Sequence, residues 1–180
     1  GTAKPTLYKS GAEKIIRLLE LADQYEILHV ERHWETGLFA YEIRCELREI
    51  AADYRLVATG LGSCSSMESR YRWREAKRFC PRCGQSAIIK SKPAFGGGWL
   101  CFSKLNGCGA KFALGDASIE TQPFGRILNP DIWDQANTIL KMAKKRAMVD
   151  AILGASRLSE VFTQDIEDIG GDVIPLAADP

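Results

Sequence analysis

Four cysteines in two short clusters are the residues of this sequence best suited to chemistry. "CPRCG" at 80–84 supplies Cys80 and Cys83, and "CFSKLNGCGAKF" at 101–112 supplies Cys101 and Cys108. Two thiolates separated by two residues bind one tetrahedral ion from a tight turn, and the glycines that follow, Gly84 and Gly109, let the backbone fold around sulfur. The second pair is wider, with six intervening residues, but Asn106-Gly107 allows it to loop back. Four sulfur ligands leave no open coordination position, so the expected ion is a structural Zn2+ and not a catalytic one. The competing reading is a pair of disulfides, which an intracellular chain disfavours. Between the pairs, "SAIIKSKPAFGGGWL" reads as two short strands about a Gly-rich turn, the build of a zinc ribbon. So small a module buries too little apolar surface to fold alone, and bound zinc contributes about 10–16 kcal/mol of folding free energy. The other thiols and the histidines carry less. Cys45 lies on an apolar strand face as a small hydrophobe, Cys64 falls in a loop without a partner, and His29 and His33 lack ligand spacing to the cysteines.

A second chemistry is carried by positive charge. In "NTILKMAKKRAMVDAIL", residues 137–153, Lys141, Lys144, Lys145 and Arg146 fall within six positions, and no acid follows until Asp150. On a wheel of about 100° per residue the three lysines share one flank, whereas Arg146 points the other way. Like charges at i, i+3 and i+4 repel, so this stripe is best tolerated opposite an external anion such as phosphate. "SRYRWREAKRF" repeats the theme: Arg70, Arg72 and Arg74 alternate with Tyr71 and Trp73, and Lys77 and Arg78 follow. Bases offer charge to phosphates and rings offer stacking to unpaired nucleobases, about 1–3 kcal/mol per base, which favours single strands over duplex. Tyr71 and Trp73 equally suit the core of a junction between strand and ribbon.

The formal net charge of +1 hides this polarity. Residues 70–92 hold eight bases against one acid, and residues 159–180 hold six acids and no base. Apolar residues at 46% and charged residues at 26% mark a globular chain, and no apolar run approaches the roughly 20 residues of a membrane span. The opening residues show no apolar signal region, so an intracellular, cytoplasmic protein is expected.

These residues need elements to position them. "SGAEKIIRLLELADQY" opens a helix with a capping box between Ser10 and Glu13. From Tyr25 to Ser63 the period changes to two: Phe39, Tyr41, Ile43, Cys45 and Leu47 share one face, and Ala40, Glu42, Arg44, Glu46 and Arg48 the other. With "YEILHVERHW" and "YRLVATGLG" as neighbours, this gives a three-stranded antiparallel meander. Later, Asn129 is expected to cap a helix opened by Pro130 and complemented by Asp131 and Asp134, with Gly154 as its stop. Ile132, Ala136, Ile139, Leu140, Ala143, Ala147 and Ala151 form its buried face, the alanines allowing close approach. "SEVFTQDIEDI" suits one further short helix. The expected fold class is α+β: a β-β-β-α core, the meander packed on helices, with an inserted four-cysteine zinc ribbon. Residues 7–66 form the first helix and meander, 67–113 the basic segment and ribbon, 114–169 the basic helix completing the core, and 170–180 a flexible tail.

The capped "SGAEKIIRLLEL" helix, the meander ending in "ATGLGSCSSMESRYRW", and "NTILKMAKKRAMVDAIL" with "FTQDIED" after it resemble the bacterial and phage branch of the Rad-fifty-two-like single-strand annealing proteins. The resemblance spans about residues 7–168. It implies copies assembled side by side into rings or filaments, single-stranded DNA in a basic groove, and no ATP, in keeping with the lack of a Gly-rich nucleotide loop ending in Gly-Lys-Ser or Gly-Lys-Thr. The zinc ribbon departs from the minimal core of that family.

Three functions are open to such a chain. The first is a non-catalytic single-stranded DNA-binding and annealing protein, with the lysine stripe and the Arg/aromatic strip on the strand. The second is a zinc-ribbon adaptor that binds protein partners through the ribbon or the acidic tail. The third is a metal-dependent nuclease, which the alternation of Glu42 and Glu46 with Arg44 and Arg48 disfavours, because that pattern suits cross-strand ion pairs.

Overall fold

A computed structural model of the chain describes residues 5–162 except 52, 94 and 95. It divides into two compact units, Gly1–Tyr71 with Asp131–Pro180, and Arg72–Pro130.

The first unit opens with helix α1, Lys9–Leu18, which buries Ala12 and Ile16. The expected capping box does not form. Tyr8 is the cap residue, its carbonyl takes the amides of Gly11 and Ala12, and Glu13 pairs with Lys9 at 3.2 Å. Starting two residues earlier gives the helix a Lys–Glu pair at i, i+4 in place of the Ser10 cap. Strands β1 (Leu21–His33), β2 (Leu38–Glu49) and β3 (Leu56–Ser65) then form an antiparallel sheet in the order β1-β2-β3. The period-two reading holds on β2: Phe39, Tyr41, Ile43, Cys45 and Leu47 are each at most 3% exposed. On the opposite face Arg44 pairs with Glu26 and Arg48 with Glu46. β1 carries a bulge between Ile27 and His29.

Helix α4, Ala136–Ser156, packs across β3 and β2 at backbone distance. The core side of β3 is Gly60, Gly62 and Cys64. A Cβ at Gly62 would lie 2.3 Å from the Ala147 amide nitrogen, and one at Gly60 2.2 Å from that of Ala151. The facing alanines, Ala143, Ala147 and Ala151, are fully buried. Cys64 is therefore a core residue of β3, not a loop thiol, because the alternation runs on to the end of the strand.

Both expected ends of α4 shift. A 3-10 turn, Ile132–Gln135, with Asp131 at its cap position, precedes the helix, so α4 begins at Ala136 and not directly after Asn129 and Pro130. Gly154 lies inside the helix, which runs to Ser156 and ends at Arg157 in the left-handed region (φ 55°). Packing of Ala155, and of Leu158 just beyond the helix, against the core offsets the roughly 1 kcal/mol that an internal glycine costs. The face is also wider than the alanine stripe, since Met148 and Val149 are buried too.

Polar side chains close part of the outer edge of β3. Asp150 Oδ2 accepts from the Leu61 amide at 2.8 Å, Arg146 Nη1 donates to the Ser63 carbonyl at 2.6 Å, and Glu68 Oε1 accepts from the Ser65 amide at 3.1 Å. Arg146 also grips Glu68 with both terminal nitrogens, at 2.7 and 3.0 Å.

The second unit follows a single helical turn, α2 (Ser69–Arg72). Strand β4 (Trp73–Ala76) pairs antiparallel with β8 (Gly125–Leu128). This pairing carries the unit to Pro130, beyond the expected close at 113. Inside it lie β5 (Ile88–Lys90), β6 (Trp99–Cys101) and β7 (Lys111–Phe112), a sheet in the order β5-β6-β7, and the short helix α3 (Ala117–Glu120). The two strands expected between the cysteine pairs are β5 and β6; β7 adds a third.

After α4 a 3-10 turn, Leu158–Glu160, ends the described chain, and most of the expected last helix and the tail at 170–180 lie outside the described residues. Among the described residues no helix is long and apolar enough to cross a membrane.

Candidate metal centre and nucleic-acid interface

The four cysteines converge. Their sulfurs all lie within 4.8 Å of one another, with Cys80 and Cys108 3.8 Å apart and Cys83 and Cys101 3.6 Å apart. Ligands about 2.3 Å from a tetrahedral centre sit about 3.8 Å from each other, whereas a disulfide would require about 2.05 Å. All four are free thiols. The donor set and spacing thus suit one thiophilic cation.

Local backbone geometry makes this convergence. The Gly84 amide closes on the Cys80 carbonyl at 2.8 Å and Gly84 takes φ 72°, so the first pair turns tightly. In the wider pair a 3-10 turn, Ser103–Leu105, and Asn106 at φ 61° bring the chain back. A Cβ at Gly107 would lie 2.7 Å from the Cys101 sulfur, so this position must stay small. The Cys108 amide donates to that sulfur at 3.3 Å. Burial pushes the Cys101 thiol up to about 12, and the Gln85 amide draws the exposed Cys83 down to about 7. Among the described residues the core around them is Cys80, Ala87, Cys101 and Ala110, with Ile88 and Phe112 against it.

Three of the four basic residues singled out on α4 gather in one place. Lys141, Lys144 and Lys145 line a groove of about 560 Å³ between α1, β1 and α4, together with Lys9. Tyr25, Met142 and Met148 supply its apolar surface. Lys144 Nζ stands 4.1 Å from the centre of the Tyr25 ring, and Lys145 Nζ 6.0 Å from that of Tyr8. The groove also holds two acids, each with a partner of its own: Glu13 meets Lys9, and Asp23 accepts from Tyr25. Burial, and then that hydrogen bond, raise the Tyr25 phenol and keep it neutral. Among the described residues Lys141 and Lys144 form no ion pair.

Arg146, Arg70 and Tyr71 depart from the expected interface. Arg146 is held by Glu68 and the β3 edge. Arg70 lies 3.2 Å from Glu68 and over the Tyr71 ring, and Tyr71 is a core residue at 7% exposure, so its faces are closed to a nucleobase. The reason is local: residues 69–72 form a helical turn and not a strand, so Arg70, Arg72 and Arg74 do not share a face.

The remaining residues belong to the second unit. The guanidinium groups of Arg72 and Arg126 lie over Trp73, at 5.1 and 4.6 Å from the ring centre. Arg74 and Lys77 are exposed. Arg78 stacks against both Trp99 and Phe124, at 4.3 and 4.6 Å. Sequence reading missed Lys9, Tyr25, Phe124, Trp99 and Arg126. None sits in a local pattern, and only the pairing of β4 with β8 and the packing of α1 and β1 on α4 bring them in.

Cys45 and Cys64 stay protonated, pushed by burial to about 11 and about 12. His29 contacts Glu31 at 3.3 Å on the sheet's polar face. No protein-family model, curated protein or solved structure matches the chain.

Proposed function

We propose that this chain is a non-catalytic protein of the annealing and recombination type that binds single-stranded DNA, with Zn2+ as a structural ion on Cys80, Cys83, Cys101 and Cys108. One observation carries the reading: Lys141, Lys144 and Lys145 join Lys9 in a single groove over an apolar surface of Tyr25, Met142 and Met148. Such a trough holds a backbone by charge and gives the flat faces of unpaired bases something to lie on. The resemblance to the Rad-fifty-two-like annealing proteins supports the same ligand, and it suggests that copies assemble into a ring or filament on it. Four thiolates suit zinc because it accepts tetrahedral sulfur ligation and has no redox chemistry of its own.

The test is oligonucleotide binding by fluorescence anisotropy across salt concentrations. Replacing Lys141, Lys144 and Lys145 together by alanine is expected to weaken binding and to reduce the slope of log affinity against log salt by about 2, from about 0.7 per lost phosphate contact. A folded triple variant with unchanged affinity and slope overturns the assignment. Annealing of complementary oligonucleotides, with gel filtration for a DNA-sized array, separates annealing from simple binding.

A further inference from the structure

The second unit has chemistry of its own that the lysine groove does not use. Residues 72–130 carry ten bases against three acids, although the chain as a whole is nearly neutral. A ligand for this unit alone is therefore an anion. Two cation–aromatic stacks stand at the ends of the β4–β8 pair. In one, Trp73 lies under Arg72 and Arg126. In the other, Arg78 lies against Trp99 and Phe124. Trp99 is itself fixed by donating to Glu120 at 2.9 Å, and Glu120 also takes the Gly115 amide at 2.8 Å.

A guanidinium held over a ring gives up none of its five N–H donors to it, and these can contact phosphate with two parallel bonds. Arg72 and Arg126 are both exposed. Phe124 is 60% exposed even with Arg78 against it, which leaves ring surface open to solvent. Phe124 and Arg126 are two residues apart, so their Cα atoms lie at most about 7 Å from each other. A short run of nucleotides can reach both stacks. Only an unpaired base can offer its face to Phe124, since duplex bases are already stacked. One acid, Glu75, lies opposite Arg126 in the ladder and limits how much charge that arginine contributes.

We infer that the β4–β8 ladder is a second binding site for single-stranded nucleic acid, separate from the lysine groove, in which Phe124 stacks a base and Arg72 and Arg126, held over Trp73, contact phosphates. It shares the ligand class of the proposed function but not its residues, so the two fail independently.

The experiment uses the full zinc-loaded chain and two labelled probes of equal length, oligo-dT and an abasic strand with the same backbone. Phe124→Ala is expected to weaken oligo-dT binding about tenfold and to leave the abasic probe little changed. R72A/R126A is expected to weaken both probes and to lower the salt slope by about 1.4. Each is measured in the wild-type chain and in K141A/K144A/K145A, where the second site is expected to hold residual binding. Metal content and the thermal transition confirm folding; if Phe124→Ala loses metal, Phe124→Leu, which keeps an apolar side chain without a ring, is read in its place. Oligo-dT affinity unaffected by either change in both backgrounds overturns the inference while leaving the groove standing. Loss through Phe124→Ala with an inert lysine triple variant does the reverse. Abasic and oligo-dT probes bound equally in the lysine triple variant would show backbone contact without stacking, and equal displacement by poly-glutamate would mark an acidic protein partner; either result also overturns it.

Discussion

At the scale of single residues, Glu68 is the most heavily used charge in the first unit. Burial alone would raise its carboxyl, but hydrogen bonds from Arg146 and from the Ser65 amide outweigh burial and hold it below the usual carboxylate range. A group depressed in this way stabilises the fold above its unfolded pKa, about 4.3, and that contribution is lost as pH falls through the folded value. Glu68→Gln is therefore expected to cost about 1–2 kcal/mol at neutral pH, a figure that allows for the pair's partial exposure. The gap from wild type should shrink at pH 3, and urea denaturation at the two pH values measures it. The sequence displays Arg146 as one of four clustered bases, but its acid lies 78 positions away and only the packing of α4 on β3 brings the two together. The cluster of Cys80, Cys83, Cys101 and Cys108 was legible for the opposite reason. Cys80 and Cys83, with two residues between them and Gly84 after, state their own local geometry, and Asn106-Gly107 marks where the wider pair turns back.

At the scale of elements, the contact of α4 with β3 decides the core. The alanine stripe announces a close neighbour, yet the sequence does not say which one, because the other half of the contact is written in glycines, which give no hydrophobic signal. Gly62→Ala puts a methyl group 2.3 Å from the Ala147 nitrogen, and backbone cannot rotate out of the way as a side chain would. We expect a loss of about 3 kcal/mol or more. Gly154→Ala makes the opposite prediction. It lies within the helix with nothing within 4 Å of a new Cβ, so alanine should stabilise the protein by about 1 kcal/mol. Thermal melting of the two variants reads both signs. The ends of α4 were not legible for a related reason: Asn129 and Gly154 are residue types that end helices, but a 3-10 turn separates the first from α4, and packing of Ala155 and Leu158 on the core carries the chain past the second in helical form.

At the scale of the molecule, charge is divided between the units. With ten of the 24 bases and three of the 23 acids in residues 72–130, the first unit keeps fourteen bases and twenty acids. The units also differ in what stabilises them. The large apolar cluster of the first contains none of the four metal-site cysteines, whereas the second is built directly on two of them. Chelation is thus expected to release one metal ion per chain, read with a metal-sensitive dye, and to abolish amide protection across residues 72–130 with β2 and α4 still protected, read by hydrogen exchange. Ligation requires all four thiols to lose their protons, Cys101 among them at about 12, so metal affinity should fall as pH falls. The extent of this unit was only partly legible, because β8, which closes it, carries no cysteine and is only four residues long.

The partly closed edge of β3 limits the ways in which copies of the chain could join. Within the described residues, Asp150, Arg146 and Glu68 occupy outward groups of Leu61, Ser63 and Ser65, while β1 pairs with β2 alone. An endless or circular run of strands needs two mutually complementary lips on every protomer, and one of these is plugged over half its length. Strand-to-strand union through β1 would stop at a two-fold pair. Any larger necklace of protomers must be strung together by side chains rather than by one unbroken sheet.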